Sequence, residues 1–330
     1  SSELPALRAA HHGLMRLLAG CCLLLLLPAA LLLAEPAAAA DFYVDANSAS
    51  CSNSGPGTLL VPYCSIGAAV AAHPGPGVTI WVKPGTYHEQ VTIPASGAAG
   101  NPFVIRNLEG TVVVDGADDF TSTSSWTLVS GNVWLAASVN WTPKQVFADG
   151  ARLAASTLAP ASLPTGGFKY VVGTGLYVNA GGTNPGLHQT EVGHRQNAFV
   201  LSAKSNVTID GLTVTRTEER SFNITGSSNV SVTHNTVTFS GRFGIYFASG
   251  SGHLVESNVC SDNADHGIEF TQNVNNSTLR ANECFRNAKP GIREANGIYV
   301  YNSPSNLIER NRLHDNQDSG LQINRDANNC

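Results

Sequence analysis

Charged side chains are scarce in this chain. Asp, Glu, Lys and Arg make up 13% of its 330 residues, and the formal net charge is only −5. No run of lysine and arginine occurs, which argues against a nucleic-acid partner, because such proteins carry a basic stripe or patch that follows phosphates. No two cysteines have the spacing of a metal finger, so a small zinc module is excluded. Helical 3.6-residue periodicity is missing from the repeating part of the chain, and so are the regularly placed leucines of a leucine-rich repeat. Methionine occurs once, at Met15. What remains is glycine (32 residues), amides and hydroxyls, the composition of a compact strand-rich protein.

Met15 opens a stretch with the three parts of a secretory leader: Arg16, the apolar run "LLLLLPAALLLA", and a small-residue exit at Ala38-Ala39-Ala40. Cleavage is expected after Ala40, with Ser1 to Leu14 lying upstream of the translated start. The protein is therefore expected outside the cell, free of the membrane once the leader is removed. "LAGC" at Leu18–Cys21 has the form of a lipidation box but precedes the apolar run, so secretion is the preferred reading. Export permits disulfides. The mature chain keeps Cys51, Cys64, Cys260, Cys284 and Cys330. Cys51 and Cys64 bracket a Gly/Pro/Ser-rich loop and are expected to pair.

From about Asn206 the chain repeats. Asn235, Asn258, Asn282 and Asn311 recur at intervals of 23, 24 and 29 residues, and Gly244, Gly267, Gly297 and Gly320 at 23, 30 and 23. One unit therefore carries six extra residues, within "RNAKPGIREAN". Each unit holds short alternating segments such as "GIYF", "GIEF", "GIYV" and "GLQI". A period this short suits one turn of a parallel β-solenoid, whose strands stack ~4.8 Å apart. The asparagines read as an internal ladder rather than as chemistry. "VTIWVKPGTYHEQVTI", "NPFVIRNLEG" and "TVVVDG" extend the coils backward, and "CSIGAAVAA" reads as a short capping helix. The repeat is lost between Thr121 and Gln196, an aromatic, turn-rich stretch read as a β insertion. The organisation expected is thus 1–40 upstream residues and leader, 41–120 cap and first coils, 121–196 insertion, and 197–330 further coils. Asn329-Cys330 stands where another coil should begin, so a longer protein is expected.

The opening "VKPGTYHEQVTI…GNPFVIRN…VVVDG" together with the Asn/Gly coils resembles right-handed parallel β-helix proteins of the polysaccharide lyase type. The resemblance implies an all-β, right-handed parallel β-helix with an N-terminal capping helix and a small β insertion, acting as a monomer on polysaccharide. "QVFADGARL…GLYV" is similar to an insertion of some β-helix glycoside hydrolases.

Within that frame the stretch "SDNADHGIEF" (Ser261–Phe270) acquires directions. The residues one and three places after each glycine face inward, and those two places after it, Tyr246, Glu269, Tyr299 and Gln322, face outward in a row. Asp265 and His266 precede Gly267, and the six-residue insertion brings Lys289, Arg293 and Glu294 beside the row. Asp262 reads as a turn-former and a weaker ligand. Cys260 and Cys284 occupy inward positions. Clustering of this kind marks a candidate site.

Two chemistries fit. In β-elimination on a uronate polysaccharide, Arg220, Arg242, Tyr246, Tyr299 and Gln322 would hold substrate. Calcium on Asp265 and Glu269 would acidify the C5 proton, and His266, Lys289 or Arg293 would remove it. "NADHGIEF…NGIYV" resembles the calcium and base region of one pectate lyase family, in which the family's lysine falls at Tyr299, a poor base at neutral pH. "ADH" is similar to the Asp/His motif of β-helix epimerases, which begin with the same proton abstraction. In hydrolysis, Asp265 or Glu269 would pair with Glu294 or Asp318 across the glycosidic bond. No organic cofactor is expected. A third class, a β-helix that only binds glycans, would survive alanine at Asp265, His266 and Glu269. Elimination is the expectation taken into the structure.

Overall fold

The computed structural model describes residues 39–325, 327, 328 and 330. The expected leader lies outside the described residues as far as residue 38. Among the described residues no helix is long and apolar enough to cross a membrane.

Short alternating segments become strands that stack in parallel. Ala40–Val44, Val78–Val82, Phe103–Asn107, Ser205–Asp210, Arg220–Thr233, Ile245–Ser251, Ile268–Asn275, Ile298–Tyr301 and Leu321–Asn324 follow one another through a 14-stranded sheet. The 14-residue strand Arg220–Thr233 serves two faces, pairing with Ile245–Ser251 along its first part and with Leu254–Glu256 along its last. A seven-stranded parallel sheet, from Gly85–Tyr87 to Arg312–His314, forms the remaining face. Register is kept from coil to coil: Ile245, Ile268, Ile298 and Leu321 lie over one another, as do Phe247, Phe270, Val300 and Ile323. Phe222, Phe247, Phe270, Ile268 and Ile298 are fully buried, each contributing about 1.5–3 kcal/mol of apolar burial.

Two features set the pitch. Turns are made by residues in the left-handed region, such as His234, Ser257, Ala281 and Arg310, each followed by an asparagine of the expected ladder. Asn235 donates to Asn258 (3.1 Å), Asn258 to Asn282 (3.0 Å) and Asn282 to Asn311 (3.0 Å). Each side-chain oxygen also accepts the backbone N–H of the asparagine below. A second ladder, not anticipated, runs Asn263 to Asn287 (2.9 Å) to Asn316 (2.8 Å). The recurring glycine has a steric cause: a Cβ on Gly267 would stand 2.7 Å from the carbonyl oxygen of Gly297, and one on Gly244 2.5 Å from that of Gly267. Coils this close admit no side chain there.

The first and later coils join directly, since Phe103–Asn107 pairs with Ser205–Asp210. The intervening chain folds out into a four-stranded and a five-stranded sheet, largely antiparallel, around a core of Phe120, Trp126, Phe168 and Leu176. The cap is the helix Ile66–Ala72, with the Ser65 side chain accepting from the Ala68 N–H and the Glu89 carboxylate accepting from Ile66 and Gly67. Cys51 and Cys64 form the disulfide. Cys260 and Cys284 lie in register in the core as free thiols, between Val237 and Leu313.

Candidate active site

Because Gly267 lets two coils close up, the strand that follows starts at a defined height, with Ile268 and Phe270 inward and Glu269 outward. Glu269 pairs in register with Tyr246 on one side and Tyr299 on the other, and Tyr299 with Gln322. Alternation sets the face but not the exposure. Tyr246 and Glu269 are each only 8% exposed, His266 4% and Asp265 2%. An aromatic layer runs across the wall. Phe243 stacks between Tyr246 (5.4 Å between centroids) and His266 (5.5 Å), and Tyr299 lies 4.6 Å from His266. Two guanidinium groups cover it, Arg220 at 4.0 Å over Tyr246 and Arg242 at 4.3 Å over Phe243.

The two acids of this coil have different partners. Asp265 forms an ion pair with Lys289 (Oδ2 to Nζ, 3.3 Å), while its Oδ1 has no hydrogen bond. Glu269 Oε2 is buried without a hydrogen bond. Burial, then the neighbouring Asp265 charge, push the Glu269 carboxyl up to about 7, against the pull of Arg242 and Arg220. Glu269 is therefore largely protonated below neutral pH.

The groups expected to act as a base are otherwise engaged. His266 Nδ1 accepts the backbone N–H of Asn296 (3.1 Å), which leaves the ring proton on Nε2. Burial lowers its pKa to about 4, so the ring is neutral and its 3.4 Å approach to Asp265 is not an ion pair. Lys289 is held by Glu294 (2.6 Å) as well as Asp265, and these bonds raise its pKa despite some desolvation. A protonated, doubly paired ammonium cannot take a proton. Arg293 points away, its side chain 74% exposed and paired with Asp318 at 3.2 Å. Asp318 and Glu294, the expected second carboxylates of a hydrolase, are thereby engaged with cations. The Lys289 hydrogen bond, only partly offset by desolvation, holds Glu294 below its usual range. Gln322 accepts from Asn296 (2.9 Å) at the end of the row.

Asp262 does not join the site. It sits in the left-handed region at φ 58° and turns its carboxylate to Arg286 (2.8 and 2.7 Å). The set does not fit calcium, which needs six to eight oxygens. Asp265 is paired with Lys289, the charges of Arg220 and Arg242 act on Glu269, and no group of three or more His, Cys, Asp or Glu side chains that could hold a metal occurs among the described residues.

Several contributors escaped the sequence reading. Gln317, on the next coil, accepts from the backbone of Lys289 (2.9 Å) and donates back to its carbonyl (3.0 Å), pinning the extended loop. The insertion supplies Lys144, Gln145 and Arg152, which with Arg242, Asp265 and Lys289 line a cleft of about 330 Å³. Arg152 donates to the carbonyl of Asp262, 110 residues away (3.2 Å). Glu218, buried, accepts the backbone N–H groups of Lys144 and Gln145 and fastens this wall to the coils. Only the five-residue offset between the two asparagine ladders was readable beforehand; nothing local announces the insertion's side chains.

Residues 174–330 match the family model of the right-handed beta helix region. The chain is a right-handed parallel β-helix. Among solved structures, it is similar to XylC, solved in complex with xylose (TM-score 0.69, 16% identity, 86% of this chain and 60% of that one). This chain thus spans about 60% of the length of XylC. It is also similar to a glycoside hydrolase (TM-score 0.53, 10% identity, 88% and 97%). The pectate lyase Pel9A superposes more loosely (TM-score 0.44, 18% identity, 87% and 50%), a level that bears on neither substrate nor chemistry. No curated protein matches the chain in sequence. At these identities the β-helix shares a fold with its neighbours, and the chemistry has to be argued from the wall itself.

Proposed function

We propose that the protein is a secreted polysaccharide-cleaving enzyme that hydrolyses a glycosidic bond, with Glu269 as proton donor and Asp265 as its anionic partner. One observation carries this reading: two buried carboxylates on one coil have surroundings that separate their roles. Glu269 keeps its proton near neutral pH and has a free oxygen to offer a leaving group. Asp265 is paired with Lys289 and has its own free oxygen, suited to a developing positive charge at the anomeric carbon or to a water. Tyr299, half-buried at the edge of the aromatic layer, offers a ring to a sugar. No step requires a metal.

A second reading has support from Arg220 and Arg242, neither of which has a carboxylate partner among the described residues. Flanking a uronate, they would acidify its C5 proton, and Glu269, once ionised, would be the base for elimination. It replaces the expected His266, Lys289 and Arg293, whose contacts remove them from that role.

The two readings give opposite pH limbs. Full-length protein incubated with neutral and uronate polysaccharides should release reducing ends without unsaturated-uronate absorbance. That activity should fall as pH rises through about 7. Absorbance that grows as pH rises through the same value would instead establish elimination. Silence in both channels would reduce the site to a binding wall.

A further inference from the structure

We propose that the cleft between the insertion and the coils holds an anionic substituent of the glycan, a uronate carboxylate or a sulfate ester. The inference rests on the glycan site above and adds the charge of the substrate. The chain as a whole is acidic, with 24 Asp and Glu against 19 Lys and Arg. This cleft reverses the balance: Lys144, Arg152, Arg242 and Lys289 line it, with Asp265 the one carboxylate.

Two of the four cations are internally compensated, Lys144 by Glu219 and Lys289 by Asp265 and Glu294. The other two are not. The Arg242 side chain makes no ion pair or hydrogen bond among the described residues and rests on the ring of Phe243. Arg152 lies over the edge-to-face pair of Phe147 and Phe239, 5.6 Å from each ring. Its side-chain hydrogen bond goes to the Asp262 carbonyl, and its Nε is buried with no partner. A buried donor left unpaired is costly. A guanidinium resting on an aromatic face presents paired N–H donors in a planar fork that suits a planar or tetrahedral anion.

Position ties this cleft to cleavage. Asp265 forms part of its lining and stands four residues from Glu269, so a substituent held by Arg152 and Arg242 would place the adjoining sugar linkage at the two acids. The insertion wall is held there by Glu218 through the Lys144 and Gln145 amides.

The test is calorimetric titration of the full-length Glu269→Gln protein with matched oligosaccharide pairs. One arm uses uronate oligosaccharides and their carboxyl-reduced forms; the other uses sulfated oligosaccharides and their desulfated forms. In at least one arm the acidic member should bind ten-fold or more tightly, with affinity falling as salt rises. Arg242→Met, at an exposed position, should remove most of the preference, and Arg152→Lys, which keeps the charge but not the fork, should weaken it. Equal binding within both pairs, no binding by any acidic member, or a preference unchanged in Arg242→Met and Arg152→Lys would overturn the proposal. Acid-selective, arginine-dependent binding by a protein that cleaves nothing would preserve this inference and overturn the hydrolase. Cleavage of neutral glycans alone would do the reverse.

Discussion

Asn263 and Asp265 are two residues apart and almost equally buried, yet their side chains are treated in opposite ways. Asn263 faces the inside of the turn. Its oxygen accepts the Ser240 N–H (2.9 Å) and its nitrogen donates to Asn287 (2.9 Å) and the Val237 carbonyl (3.5 Å). Asp265 faces the outer wall, with one oxygen on Lys289 and the other unpaired. Glu269 shares that condition, as do the Nε atoms of Arg220 and Arg152. The inner ladder satisfies its polar groups and holds the coils in register. The outer wall leaves several polar groups unsatisfied, the arrangement expected where a ligand supplies the missing partners.

Removing the acid should give the sharpest contrast. Glu269→Gln should lower turnover by about 100- to 10,000-fold, the usual span for one general acid. The same change should raise stability. Glu269 titrates near 7 in the folded chain and near its ordinary 4.5 when unfolded, so folding loses stability as pH rises between those values. At pH 8 the Gln variant should be more stable by on the order of 2 kcal/mol, which chemical denaturation at pH 5 and pH 8 would resolve. A variant equally inactive but less stable at pH 8 would mean that the carboxyl is structural.

Asn258→Ala tests the opposite region. It removes an oxygen that accepts two N–H groups and an amide that donates to Val232 and Asn282. The expected cost is about 3–5 kcal/mol, seen in urea unfolding, with the folded protein's catalytic pH profile unchanged.

His253 offers a smaller effect. It lies tilted against Phe247 at 4.5 Å, its Nδ1 accepts the Val230 N–H, and burial lowers its pKa to about 4. The unfolded histidine takes up a proton near 6.5, so stability drops as pH falls from there towards 4. His253→Asn should therefore lose less melting temperature than the parent between pH 7 and pH 4.5, by the equivalent of on the order of 2 kcal/mol.

The smallest effect expected is at Arg242. Its charge holds the Glu269 pKa down, so Arg242→Met should move the alkaline limb of activity to higher pH. A limb that stays put would separate Arg242 from the acid.

Much of the scaffold was legible because solenoid rules are local. An asparagine at the turn, a glycine where coils close up and a two-residue alternation identify coils, pitch and facing, and they correctly turned Cys260 and Cys284 inward. They also brought Asp265, His266 and Glu269 to one wall. Alternation carries no information about what covers that wall, and here Lys144 and Arg152 arrive from a segment with no repeat to follow. Nor could sequence reveal that the Asn296 N–H occupies His266 Nδ1, or that Lys289 is shared between two carboxylates. These are facts of three-dimensional pairing, and they moved the preferred chemistry from elimination to hydrolysis.

The loop bearing Lys289, six residues longer than its counterparts in the other coils, has a wider implication. It leaves the stack after Asn287 and returns at Asn296, while Glu269 and Tyr299 on either side stay in register. Each turn is thus a separate address: sequence can be written into one without displacing the rungs above or below. A scaffold of this kind can acquire new specificity by lengthening a single corner, and engineers can exchange that corner while leaving the rest of the text intact.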